Sequence, residues 1–399
     1  MRQEIKYECK KYIFTKKNIV VMVLLIIAMF GILAFNEGGY LFEKSARRTF
    51  FSQMKQEFSS ADKQQIQEEM DQIQQELYDD TEEGLELNKA KAEEIGKYGV
   101  SKLDEYGFLC AVLQCIEKTE KRNRNMAVIK ENNLDNMEDY VKEDNRMIVD
   151  DLKLTAAVNN MAYGWVPCLG VILFLCSSYA LEYENKVNSL IEITKRGRGA
   201  IVAAKIMTGV FTAVIVNVMF WIVYLFMQWG ILGMTPADWK MPLFLADECQ
   251  MCASGLTILD FLLKQMLVSI LISVLAALFT IVVSRVIKRG SYTLFVSVIL
   301  FVITMLPDIL NTAIYNNVFL MDKTDWYLMS TPAFYKLLDM EKRINPVSML
   351  HFEYFVQKPR YVQIAGAYYK AEVFPMLVAL VGIALLVVIL LYEKRRRVR

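Results

Sequence analysis

The sequence predicts an all-α membrane protein: six transmembrane helices carrying a helical, coiled-coil-like extracellular domain. Three observations predict it. Apolar residues make up 55 % of the 399 residues while charged residues still reach 22 %, so the apolar residues stand in blocks. Charge-free runs cover Ile19–Phe35, the stretch between Lys153 and Glu182, the stretch between Lys205 and Asp238, Gln265–Ser284, Ser291–Pro307 and Val373–Tyr392. A helix needs about 20 mostly apolar residues to cross the hydrocarbon core. The charges between the runs are sorted by sign. Segments 1–18, 182–205, 285–290 and 393–399 together hold 19 Lys and Arg against 6 acids, whereas 36–153 holds 17 against 27.

That sorting sets an expected topology, because an excess of Lys and Arg marks cytoplasmic loops. Six alternating spans put all four basic segments on one side. Both termini are then cytoplasmic at the plasma membrane, and 36–153 is extracellular. Residues 1–18 form a basic arm and 19–35 the first span. A signal peptide cleaved after Ala34 would want a small residue at Ile32, so the span reads as an uncleaved anchor.

Segment 36–153 is rich in Glu, Gln, Lys and Met and lacks proline. Ile66, Met70, Ile73 and Leu77 are spaced as a coiled-coil seam, and Leu134, Met137, Val141, Ile148 and Leu152 form a second one. Two long helices, rising from the first and second spans and packed on each other, are expected, with breaks at Gly84, Gly96, Gly99 and Gly107. Seam spacing reports packing only, so a plain stalk and a ligand-guiding domain both remain open.

The second span covers 154–181, bent at Pro167. A cytoplasmic segment, 182–205, follows, and 206–313 holds spans three to five. Segment 314–371 is aromatic, with prolines at Pro332, Pro346 and Pro359, and reads as short helices at the outer interface. Span six covers 372–392. The tail 393–399, with its run Lys394-Arg395-Arg396-Arg397, reads as a cytoplasmic stop attracted to anionic lipid rather than a nucleic-acid contact.

Several chemistries are excluded. His351 is the only histidine, which removes Ser-His-Asp and Cys-His catalysis and a histidine-based metal site. No phosphate loop occurs; the nearest piece, Gly96-Lys97-Tyr98, lacks the upstream glycine and the hydroxyl. Cys249-Gln250-Met251-Cys252 and Cys110…Cys115 have no second pair or histidine to complete a metal site. A local disulfide stays open. Cys168 and Cys176, within the second span, read as small packing residues.

Polar residues inside spans are costly and so are functional candidates. Asn217 sits in the third span, Asp260 and Lys264 one turn apart at the start of the fourth, and Asp308 after Pro307 in the fifth. Each equally suits an interhelical hydrogen bond of about 0.6 kcal/mol. They form no chain of carboxylates for a proton-coupled pump.

The stretch after the second span is the most informative. Val187, Leu190, Ile191 and Thr194 fall at helical spacing among acids and bases, closed by Gly197 and Gly199. This reads as a short amphipathic helix that docks on lipid or on a partner. Here the sequence resembles the membrane subunits of ATP-binding-cassette exporters of the ABC-2 type. Glu182 and Glu184 match that family's acidic pair, Leu190–Thr194 its coupling helix, Arg198 its turn arginine and Lys205 the lysine opening the next span. Lys186 and Val187 stand where glycine is frequent in the family, and Lys195-Arg196-Gly197 replaces a proline turn. Asn345-Pro346-Val347-Ser348-Met349-Leu350, with Tyr361 and Gly366, also resembles the family's segment before the last span. The resemblance implies a permease subunit without its own ATPase site or cofactor, moving an amphipathic peptide, drug or lipid-like cargo. ATP and Mg would bind a cytoplasmic ATPase partner, and a second permease copy or paralogue would complete the transporter. The alternative from another class is a receptor or scaffold with a sensing stalk.

Overall fold

The computed structural model describes residues 7–8, 10, 15–36, 45–53, 63–77, 84–131, 149–187, 197–246, 249, 255–318, 344–351, 361–364, 367–370 and 372–396. Helix α1 (Lys16–Asn36) precedes four helices in the polar region: α2 (45–53), α3 (Lys63–Leu77), α4 (Gly84–Glu93) and α5 (Lys102–Glu131). The next apolar stretch is composite. It consists of α6 (Asp151–Asn160), a 3-10 segment at Met161–Trp165, α7 (Val166–Leu175), a turn and α8 (Ala180–Glu184). Then follow α9 (Gly197–Met227), α10 (Ile258–Ile287), α11 (Gly290–Val318), a 3-10 segment at Pro346–His351, strands β1 (Tyr361–Ile364) and β2 (Ala367–Lys370), and α12 (Val373–Arg396).

Six stretches are long and apolar enough to cross a membrane: Asn18–Phe35, Asp151–Glu184, Ala200–Leu232, Ile258–Ile287, Gly290–Pro307 and Val373–Tyr392. Their burial is unequal. The most apolar window of the second is 67 % buried and those of the third and fourth 44 %, against 17 % for the first, fifth and sixth. The second stretch, α9 and α10 therefore make the centre, and α1, α11 and α12 border it. Outward faces such as Leu24, Ile27, Phe295, Leu377 and Leu385 stay exposed. Apolar surface of that extent belongs against hydrocarbon rather than water. Glycine allows the central helices to approach closely. A Cβ on Gly209 would stand 2.8 Å from Ile281, and one on Gly170 would crowd Leu25 and Val216 at 3.1 and 3.2 Å.

The polar helices form their own core. Ile66, Met70 and Leu77 of the first predicted seam are buried and Ile73 is half-buried, so the seam spacing does report a packed face. That face meets α5, with Phe108, Val112 and Ile116, together with Phe50 of α2 and Tyr98. The Phe50 ring lies 5.0 Å from Phe108 and 5.1 Å from Tyr98, the latter edge-on. Among the described residues the seam's partner is thus the helix over 102–131. Residues 134–148 of the second seam lie outside the described residues, and Leu152 is exposed. Gly84 opens α4 and Gly99 takes a left-handed turn (φ 75°), but Gly107 lies inside α5, where no break occurs.

A second difference concerns 314–371. Instead of short helices alone, the segment contains an antiparallel hairpin pairing Tyr361 with Lys370 and Ile364 with Ala367. Tyr361, Val362, Ile364, Tyr368 and Tyr369 are β-branched or aromatic, which suits a strand as well as an interface. The aromatic cluster 326–335 and Phe352–Phe355 lie outside the described residues.

Candidate functional site

The second apolar stretch has two breaks, and each frees backbone groups that an apolar surrounding cannot satisfy. Side chains of its neighbours take them up. At the first break the Ser269 hydroxyl of α10 lies 3.0 Å from the Gly164 carbonyl and 2.6 Å from Asn217 Oδ1. Asn217 also donates to the Ala213 carbonyl at 2.8 Å, so its amide joins α9 to α10. Just before this break the Tyr224 hydroxyl donates to the Ala157 carbonyl at 2.7 Å. At the second break Ser284 Oγ accepts the backbone N–H groups of Tyr179 and Ala180, at 3.0 and 3.2 Å. Pro167 stands in the first turn of α7, where its missing N–H costs nothing.

Ser269 and Ser284 belong to one polar stripe on α10. Gln265, Ser269, Ser273, Thr280 and Ser284 are all fully buried. Gln265 donates to the Leu350 carbonyl, and Ser273 contacts the Cys168 thiol at 3.2 Å. Sequence reasoning passed over this stripe because the run Gln265–Ser284 carries no charge. The signal was present as hydroxyl and amide residues at spacings of one or two helical turns.

Beyond the second break, three of the predicted residues converge. Lys205 is buried in α9, with its Nζ 2.7 Å from Glu182 Oε1, 2.6 Å from the Ser178 carbonyl and 3.3 Å from Glu8 Oε2. It also stands 4.5 Å above the Tyr179 ring, with the Arg285 guanidinium 5.5 Å from the same ring. Glu184 Oε1 accepts the Gly290 N–H at 3.0 Å and so caps the start of α11. Val187 is exposed. Leu190, Ile191 and Thr194 lie outside the described residues, and of Arg198 only the helical backbone is described. Lys186 and Lys288 are both left-handed (φ 55° and 62°).

Of the remaining intramembrane candidates, Asp260 has a described structural role. Asp260 closes a capping box at the start of α10: it accepts the Thr257 N–H at 3.0 Å and the Thr257 hydroxyl at 2.7 Å. It makes no ion pair with Lys264 among the described residues, because its carboxylate is committed to the cap. The backbone of Asp308 continues α11 past Pro307, and its side chain lies outside the described residues.

A second charged node, missed by sequence reasoning, lies at the opposite end of the composite stretch. Lys118 of α5 pairs with Asp151 at 2.8 Å, both buried, and donates to the Leu245 carbonyl at 3.1 Å. Arg47 of α2 forks onto Asp150 through Nη2 at 2.6 Å and Nε at 3.2 Å, with its guanidinium 4.8 Å above the Phe108 ring. Lys153 reaches Asp238 at 2.5 Å. The polar helices are thereby fixed to the start of α6. Close by, the Cys115 thiol donates to the Val149 carbonyl at 3.4 Å, and burial pushes it up to about 12, so it stays an inert thiol. Cys110 and Cys115 are not bonded to each other.

The two nodes sit at opposite ends of one composite stretch: Asp150 and Asp151 hold α2 and α5 at its start, and Glu182 and Glu184 hold Lys205 of α9 and the start of α11 at its end. Comparison with protein-family models, with curated proteins and with solved structures found no match to the chain.

Proposed function

We propose that the chain is the membrane-spanning permease subunit of an ABC-2 type exporter, driven by a separate cytoplasmic ATPase that binds the ATP and Mg. A second permease copy or paralogue completes the path, and the cargo is an amphipathic peptide, drug or lipid-like molecule. In this reading both termini are cytoplasmic at the plasma membrane and the polar helices are extracellular. One observation carries most of the support. Glu182, Glu184 and Lys205, which the family resemblance singles out from sequence, meet at the end of the second apolar stretch and tie it to α9 and α11. A push on segment 182–205 would therefore move three helices rather than a loose loop.

The test is Leu190→Asp combined with Ile191→Asp in the full complex. The expected outcome is loss of the co-purifying ATPase, or loss of transport, while the permease still reaches the membrane. Retention of the ATPase with normal transport overturns the coupling assignment. Purification with no ATPase partner at all favours a receptor or scaffold.

A further inference from the structure

One cavity is not used by either charged node. It has a volume of about 200 Å³ and lies between α11 and α12, floored by Ala276 and Phe279 of α10. Ile172 of α7, Val347, Leu300 of α11 and Leu386 of α12 also line it. The wall is apolar except for Ser297 and Thr304, and the Ser297 hydroxyl is buried without a hydrogen-bond partner among the described residues. Thr304 contributes no free hydroxyl, since it donates to the Phe301 carbonyl at 2.6 Å. Helices α11 and α12 both pack on α10 and on Pro346–His351 but scarcely on each other, which leaves the cavity half-open between them.

We propose that this cavity holds one acyl chain of an anionic membrane phospholipid as a resident component of the protomer. The proposal rests on reading the six apolar helices as membrane spans, not on the transport function. Size is the first argument. An engineered apolar cavity of about 150 Å³ stays dry and binds benzene, so this larger one is a hydrocarbon site that water gains nothing by entering. Surroundings are the second. The outward faces of α11 and α12 beside it are apolar and exposed at Val302, Ile303, Leu385 and Val388, so what surrounds it is the hydrocarbon of the bilayer. Charge is the third. Phe279 lies six residues, roughly 9 Å of helix, from Arg285. Arg285, Lys288 and Arg289 lie on the link to α11, three cations beside the Glu184 carboxylate that caps Gly290. A phosphate headgroup held there sends its tail along α10 toward the cavity.

The experiment uses the full chain in phosphatidylcholine vesicles doped with phosphatidylglycerol that carries a photoreactive diazirine at mid-chain. After purification in detergent, crosslinks are expected at Phe279, Leu300 and Leu386, enriched about tenfold over the outward positions Val20, Val23, Leu24 and Ile27 of α1. Excess unlabelled phosphatidylglycerol should compete them away. Ala276→Trp or, from the opposite wall, Leu300→Trp fills the cavity and should lower that labelling about tenfold, whereas Val302→Trp on the outer face should not. Thermal unfolding of each variant confirms that it is folded. Three results overturn the proposal. The first is labelling at the cavity equal to that on α1. The second is labelling that survives both filled variants. The third is competition by a soluble amphipathic peptide but not by phospholipid, which would give the cavity to cargo. No ATPase partner enters the measurement, so failure here leaves the coupling reading untouched.

Discussion

The two ends of the second apolar stretch use the same chemistry for different mechanical purposes. At the Asp151 end each acid has its own cation from a separate helix: Lys118 on Asp151 and Arg47 on Asp150, forked and stacked on an aromatic ring. At the Glu184 end one ammonium, Lys205, is divided between Glu182, Glu8 and a carbonyl. At the first end, the joint, the two acids are matched by two cations, and the planar Arg47 fork fixes its partner's orientation as well as its charge. Sharing makes a hub whose second carboxylate can leave while the first still neutralises the lysine. The Glu8 contact, at 3.3 Å, is also the longer of the two carboxylate contacts. The lesson is that burial alone does not make a charged node rigid; the number of partners per charge matters as much.

The largest effect is expected at the joint. Lys118→Met leaves Asp151 buried without its cation, and breaking a buried pair in this way costs about 3–5 kcal/mol. Chemical unfolding of the full chain in mixed micelles measures it. Lys118→Met combined with Asp151→Leu should recover most of the loss, since no charge is then stranded. If the single variant is as stable as the parent, the node is not a joint and the comparison fails at its stronger end.

A smaller effect is expected at the hub. Glu8→Gln leaves Lys205 with Glu182 and the Ser178 carbonyl, so its cost should stay below about 1 kcal/mol, the range of a single neutral hydrogen bond. The same unfolding measurement, run beside Lys118→Met, gives the contrast directly. A loss at Glu8→Gln as large as at the joint would make the two ends equivalent.

Much of the fold was legible because its causes are local. Charge-free runs mark the apolar stretches, and the spacing of Ile66, Met70 and Leu77 marks the buried face of α3. Glu182 and Lys205 were also legible, being 23 residues apart across one loop. The joint was not. Arg47 and Asp150 are 103 residues apart and Lys118 and Asp151 are 33 apart, on elements whose packing no periodicity reports. The hairpin at 361–370 was missed because aromatic and β-branched residues serve an interface and a strand equally. Asp260 was read through its neighbour Lys264, when the stronger competitor was the free N–H of Thr257 three residues earlier.

The smallest effect sharpens the hub through its backbone. Lys186 ends α8 with φ 55°, and its N–H bonds back to the Tyr183 carbonyl at 3.1 Å. A left-handed residue with a Cβ costs about 1–2 kcal/mol relative to its right-handed form, whereas glycine adopts it freely. Lys186→Gly therefore removes strain in the folded state and adds chain entropy in the unfolded one, and these partly cancel. The net expectation is a stability unchanged or raised by up to about 1 kcal/mol. Lys186→Ala, which keeps the Cβ, should give no gain. If glycine instead destabilises the chain while alanine does not, the lysine side chain holds the turn, and the hub has a partner that its backbone geometry does not account for.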